Sequence, residues 1–284
     1  MTAVSHPSTT TDPAPRELQR VLGTVDLLIY GMIFMVPIAP FSVFGFVWHD
    51  AHGMVPLAYL IGMVCMTFTA MSYASMSRAF PSAGSIYTYA QRGLGEAAGF
   101  FAGWMILLDY ILIPALLYIV SAAALQPAFP AVPQGVWLLG FVVFNCAVNL
   151  LGVQLTAKTN RWLLLLEVAV VAIFIVIGLQ ALNRGVGSGA LTLKPLYDPS
   201  AFSIPVALSA TSIAVLSFLG FDGISTLGEE AKDAEHGVAR ATLLSLLLVG
   251  VLFIVQTWIA CELTVGRPFS TLDTAFYEVA EVAG

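Results

Sequence analysis

The sequence predicts an all-α membrane protein of about seven transmembrane helices, arranged as the opening part of a five-plus-five inverted repeat. Three observations carry this. Hydrophobic residues make up 58% of the 284 positions and charged residues only 10%, against about 45–50% and roughly 25% in soluble domains. The apolar residues fall in continuous runs of the length that carries a helix across roughly 30 Å of hydrocarbon, not in the short alternating segments of a barrel. Two of these runs, five spans apart, are interrupted at mid-membrane depth, and paired interruptions in corresponding positions mark the two halves of a repeat.

In chain order the runs lie near residues 24–48, 54–77, 96–126, 135–155, 162–183, 205–227 and 241–263. The first 23 residues are rich in Ser, Thr and Pro and lack an apolar stretch, which predicts a disordered cytoplasmic tail and no cleavable signal peptide. Lys and Arg collect on the cytoplasmic side of membrane proteins. With the N-terminus inside, that side holds Arg16, Arg20, Arg78, Arg92, Lys158, Arg161, Lys232 and Arg240, and the other only Arg184, Lys194 and Arg267. The expected division is a first five-helix repeat over 24–183, an extracytoplasmic loop over 184–204 and the start of a second repeat over 205–284. The stretch Thr271 to Tyr277 reads as the approach to a further helix, so the chain is expected to stop partway through the second repeat.

Span 1 contains Met35-Val36-Pro37-Ile38-Ala39-Pro40-Phe41-Ser42. Each proline removes a backbone N–H and clashes with the carbonyl one turn earlier, at about 3 kcal/mol or more, so a regular helix breaks here. The freed carbonyls must face a polar cavity. Span 6 contains Ser217-Phe218-Leu219-Gly220-Phe221-Asp222-Gly223-Ile224-Ser225-Thr226. Gly220 and Gly223 fit either close helix packing or a second break; the acid between them favours the break.

Three acids sit inside apolar runs: Asp109, Glu167 and Asp222. An ionised carboxylate at the bilayer centre costs about 2.5–3.5 kcal/mol on insertion scales, so each requires a partner or a function. Asp222 suits a counter-charge for a cationic substrate or a proton site. Asp109 and Glu167 are the proton-coupling candidates, and Tyr110 can offer its hydroxyl to the same cavity. Asp26, in a first helical turn, is read as structural. Gly99 and Gly103 read as close helix packing, the charged run from Glu229 to His236 as a solvated turn, and Cys65, Cys146 and Cys261 as core residues.

Several functions are excluded on composition and spacing. Eleven Lys+Arg against 17 Asp+Glu leave no basic footprint for nucleic acid. His49 and His52 lack the spacing and the third ligand of a metal site. Walker A, HExxH and GxSxG patterns are absent, so no catalytic residue, cofactor or metal is expected.

The sequence resembles the amino acid/polyamine/organocation transporter superfamily over nearly its whole length. The residues that carry the resemblance are Phe80-Pro81-Ser82-Ala83-Gly84-Ser85-Ile86-Tyr87-Thr88-Tyr89-Ala90 and Phe218-Leu219-Gly220-Phe221-Asp222-Gly223 followed by Gly228-Glu229-Glu230. The run Leu107-Leu108-Asp109-Tyr110 through Pro114, together with the span 6 motif, is most similar to bacterial putrescine importers. The resemblance implies a leucine-transporter-type bundle of ten core helices, of which this chain holds seven. Amino-acid carriers of the superfamily read a Gly-Ser-Gly-like stretch in span 1; Pro37-Ile38-Ala39-Pro40 stands there instead, with two fewer N–H donors for a carboxylate. Ser42 stands where putrescine importers tend to carry an acid, and Glu167 where several proton-linked relatives carry a lysine.

The expected function is secondary active transport of amino acids or polyamines across the cytoplasmic membrane, probed first as proton-coupled uptake of a cationic amine by alternating access. A neutral or cationic amino-acid exchanger is the alternative within the superfamily; a channel, or an inactive truncated fragment, is the alternative outside it. The expected substrate-binding residues are Val36, Pro37, Ile38, Ala39, Pro40, Tyr110, Gly220, Asp222 and Gly223. A small amine or amino acid and the lipid bilayer are the expected partners.

Overall fold

The computed structural model describes residues 20–80, 82–126, 129–151, 153–233, 236–265 and 267–284, with the side chains of 153–158 left out. Arg16 and the rest of the expected tail up to residue 19, Pro81, the Lys158 side chain and Glu235 lie outside the described residues. Ten α-helices are found among those described. Span 1 is the pair α1 (Thr24–Met35) and α2 (Ala39–Asp50), bent by 48°. Span 2 is α3 (Val55–Ala79), followed by the short α4 (Ser85–Leu94); spans 3, 4 and 5 are α5 (Glu96–Leu125), α6 (Gln134–Leu150) and α7 (Val153–Asn183). Span 6 is α8 (Ile204–Ala214) continued by two 3₁₀ segments, Val215–Phe218 and Phe221–Leu227; span 7 is α9 (Gly237–Leu263), and α10 (Ala275–Ala283) follows.

The ends of these helices follow from local chemistry. Pro37 has no N–H to continue α1, and Val36 swings to φ 50° as the chain leaves the helix. Pro40 then falls in the first turn of α2, where a missing N–H costs nothing. Pro56 and Pro205 open α3 and α8 in the same way, and the Ser203 hydroxyl accepts from the Val206 N–H at 3.3 Å. The Gly23 N–H donates to the Asp26 carboxylate at 3.0 Å, which gives Asp26 the structural role expected of it.

Five helices, or six counting the bent pair, are long and apolar enough to cross a bilayer. Seven were expected, and α6 is the difference: its 17 residues reach ~25 Å, short of a full crossing. Two helices fall outside the expected spans: α10 begins within the stretch read as the approach to a further helix, and α4, ten residues of mixed polarity, leaves no hydropathy signal.

The most buried helix is α9, which packs against α1, α3, α7 and the second 3₁₀ segment. Around it the core is aromatic. Phe41 and Phe276 stack at 3.7 Å between ring centres, with Phe44 and Phe174 edge-on or tilted beside them. Tyr59, Phe218 and Phe253 form a second set that ties spans 2, 6 and 7 together. The outward faces of α5, α6 and α7 carry large apolar side chains such as Phe100, Phe144 and Ile173, which hydrocarbon tolerates and water does not. Of the cysteines expected in the core only Cys261 is buried; Cys65 and Cys146 lie on exposed helix faces, because an apolar run places residues against lipid as readily as against protein.

Gly99 and Gly103 serve close packing as expected. A Cβ on either would strike Gln91 or Tyr87 of α4. The charged turn after span 6 is more than a solvated loop: Val21 and Leu22 donate to the Glu230 carbonyl at 2.9 and 3.0 Å, and Lys232 donates back to Leu22 at 2.9 Å. Glu229 also accepts from the Ala83 N–H at 3.1 Å. Side-chain type alone does not announce such backbone pairing.

Candidate functional site

The two broken spans meet. Gly220 holds φ +98°, and a Cβ there would collide with the Phe34 carbonyl one turn before the span 1 break. Gly223 lies against the Phe34 ring, where a Cβ would come to 2.8 Å. Gly31, a turn earlier on α1, leaves no room between itself, Ile224 and Ser245. Only glycine lets the two backbones approach this closely, and at Gly220 only glycine takes the left-handed conformation without strain. Gly220 and Gly223 are therefore placed directly against span 1, whose break comprises Val36, Pro37, Ile38, Ala39 and Pro40; Asp222 stands between the two glycines.

Inside the break the hydrogen bonds are rearranged. Val36 still donates to the Met32 carbonyl at 3.1 Å, but Ala39 turns to the Val36 carbonyl at 2.8 Å and Phe41 to the Ile38 carbonyl at 2.9 Å. Pro37 cannot donate, so the Ile33 carbonyl loses its ladder partner. Among the described residues no donor reaches the carbonyls of Ile33, Phe34 or Met35. The unpaired carbonyls thus sit one turn before the Val36 to Pro40 segment. The sequence carries that signal, since a proline always releases the carbonyl four residues before it.

Span 6 uses its carbonyls differently. That of Gly220 accepts from the Gly223 N–H at 3.0 Å, that of Asp222 from the Ser225 hydroxyl at 2.6 Å, and that of Gly223 from the Thr226 hydroxyl at 2.6 Å. The Asp222 side chain in this segment is buried, with only 7% of the residue exposed. Tyr110 on α5 donates its hydroxyl to Asp222 Oδ2 at 3.2 Å, joining two of the expected site residues across 112 positions of sequence. Pro114, inside α5, also frees the Tyr110 carbonyl.

Asp109 precedes Tyr110 and lies within electrostatic range of Asp222. Glu167, half-buried on α7, makes no hydrogen bond or ion pair with any described residue, and nothing brings it to Asp222. Sequence reasoning missed the aromatic wall. Tyr73 of α3 packs edge-on against Tyr89 and Phe221, with ring centres 5.8 and 5.2 Å away, and Ser225 bonds the Ser85 hydroxyl at 2.9 Å. It also missed Gln256 on α9, fully buried, whose amide Nε2 donates to the Pro37 carbonyl at 3.1 Å. A lone uncharged amide in a 27-residue apolar helix is averaged away in any hydropathy window.

Two hollows flank the break along span 1. One of about 460 Å³ is lined by Asp26, Tyr30, Ile33, Arg161 and Trp162, and one of about 660 Å³ by Trp48, His52, Lys194, Glu262 and Arg267. Asp222 lines neither.

The arrangement has relatives among characterised proteins. Over 243 residues the chain is 36% identical to the low-affinity putrescine importer PlaP of Escherichia coli (strain K12), covering 85% of this chain and 54% of that protein. It is 24% identical over 293 residues to the branched-chain amino acid permease BcaP of Bacillus subtilis (strain 168), covering 95% and 60%. A probable GABA permease of Pseudomonas aeruginosa is 28% identical over 212 residues, covering 73% and 45%. The chain thus spans about half the length of the curated relatives it matches. It is a multi-pass membrane protein, and its resemblance to putrescine importers extends well beyond the motifs around Asp109 and Asp222. The sequence model of one family matches residues 26–279, nearly the whole fold described above, and this chain belongs to that family, the amino acid permeases.

Proposed function

We propose that this protein is a secondary active transporter, not an enzyme, that takes up amino acids or polyamines by alternating access, and that its preferred cargo is a putrescine-like cationic amine. The observation that carries this reading is the Asp222 carboxylate, buried at the point where spans 1 and 6 both break. An ammonium group offers donors and needs acceptors. Acceptors are supplied by Asp222, with Asp109 in electrostatic range, and by the Phe34 carbonyl, against which Gly220 lies. The N–H groups of Val36, Ala39 and Phe41 are already engaged, and Pro37 and Pro40 have none, which leaves Ile38 as the one backbone donor at the break for a substrate carboxylate. The similarity to a putrescine importer supports the same cargo.

In this reading Val36 to Pro40 and Gly220 to Gly223 form the two faces of the cargo site, Asp222 neutralises the ammonium, and Tyr110 holds the carboxylate in place. Asp109 and Glu167 exchange the coupling proton. The two hollows are the vestibules on the two sides of the membrane, and transport consists of opening one while the break region closes off the other. Residues 24–183 make the first five-helix repeat, 184–204 an extracytoplasmic loop and 205–284 the start of the second, with the N-terminus in the cytoplasm. The alternative cargo, a neutral amino acid, is supported by the similarity to the branched-chain permease.

Uptake of labelled putrescine by cells expressing the transporter tests this. Unlabelled diamines should compete and neutral amino acids should not. Asp222→Asn removes one partner of a buried charge pair, a loss of about 2–5 kcal/mol, so uptake should fall at least about thirtyfold. Wild-type uptake in that variant, or competition by leucine but not by diamines, would reject the reading.

A further inference from the structure

We infer that Gln256 is a positioning residue for cargo binding: its amide N–H pins the Pro37 carbonyl and so holds the span 1 break open. The inference rests on reading the break as the cargo site. In an unbroken helix the Pro37 carbonyl would accept from the Phe41 N–H, but Phe41 bonds the Ile38 carbonyl instead, at 2.9 Å. The Pro37 carbonyl is left to a single donor, Gln256 Nε2 at 3.1 Å, which arrives from α9, 219 positions away in sequence. Were that donor absent, the carbonyl would be free to recapture Phe41, and the turn carrying the released carbonyls of Ile33, Phe34 and Met35 would tighten.

The other half of the same amide shows that this bond is what the side chain is for. Gln256 is fully buried, and its Oε1 has no hydrogen-bond partner. An orphaned buried acceptor is a cost. A methionine would fill much the same space in this buried position without that cost. Filling space therefore does not account for the amide. The bond to Pro37 does.

The test compares Gln256→Met and Gln256→Glu in cells expressing the transporter. The methionine variant loses the donor and the orphan together. Its KM for putrescine should rise about two- to tenfold, the equivalent of one neutral hydrogen bond, with Vmax little changed and the melting temperature of the purified protein equal to or above wild type. The glutamate variant donates to a carbonyl only when protonated. Relative to wild type at each pH, its KM should be raised at about pH 8 and should recover towards about pH 5. A purely structural role predicts no such recovery. Wild-type KM in both variants across that range would overturn the inference, and if the methionine variant does not fold, the glutamate pH profile decides alone. Asp222→Asn in the same assay separates the two ideas. If it transports normally while Gln256→Met shows the raised KM, the cargo assignment of Asp222 fails and the positioning role stands. If it is inactive while both Gln256 variants are normal, only the positioning role is lost.

Discussion

At Gly220 two constraints coincide, a φ of +98° and the Phe34 carbonyl where a Cβ would stand. Neither neighbour is a side chain that can rotate aside, so Gly220→Ala should destabilise the protein by at least about 2 kcal/mol, combining left-handed strain with overpacking. Gly223→Ala meets only the Phe34 ring, which can turn, and should cost less. Gly135→Ala meets nothing within 4 Å and serves as the control. Thermal melting of the purified variants should rank them in that order, and equal melting for Gly220→Ala and Gly135→Ala would contradict the close approach of the two backbones. At the same scale, the type and place of each acid could be read from the sequence, but not its neighbours. Asp222 and Tyr110 were both singled out. That one donates to the other depends on two helices 112 residues apart meeting face to face. Glu167, equally conspicuous as a carboxyl in an apolar run, meets no such partner.

Among the elements, span 1 is the one whose shape is dictated by covalent chemistry. Pro37 and Pro40 would interrupt a helix in any surroundings, and the 48° bend falls between them. Pro37→Ala returns an N–H that can bond the Ile33 carbonyl, a gain of about 0.5–1.5 kcal/mol, and removes a steric clash. The variant should be as stable as the wild type or more so, yet transport less, because the carbonyls of Ile33 to Met35 return to the ladder. Undiminished uptake together with raised stability would separate the break from function. Span 6 is interrupted by different means. Its glycines permit a break without enforcing one, and the 3₁₀ segments on either side of Leu219–Gly220 exist because Ser225, Thr226 and the close contact with α1 stabilise them. The short helices α4 and α10 are held by what they touch: Gln91 and Tyr87 of α4 nest on Gly99 and Gly103, and Phe276 of α10 stacks on Phe41. Such elements are not autonomously stable, since a nine- or ten-residue helix is marginal until packing supplies the stability.

For the whole molecule the proposed topology makes a prediction about direction: the positive-inside rule assigns Lys232 and Arg240 to the cytoplasmic side and Lys194 and Arg267 to the other. With the three native cysteines replaced, a cysteine at Lys232 should react with a membrane-impermeant maleimide only after cells are permeabilised, and one at Lys194 should react in intact cells. The reverse pattern would invert the proposed topology. The backbone pairing of Val21 and Leu22 with Glu230 and Lys232 places the start of span 1 and the end of span 6 at one end of the molecule, which no count of charges could have established.

By itself the sequence determined that the chain crosses a bilayer several times, where its long helices run and that span 1 must break. These follow from transfer free energies and from the missing N–H of proline, properties each residue carries wherever it sits. Only the tertiary structure decided that span 6 breaks against span 1, that Tyr110 bonds Asp222 and that Gln256 reaches Pro37. Each of these depends on distances between segments remote in the chain, and those are set by how side chains of many helices pack together, which no local pattern of residues encodes.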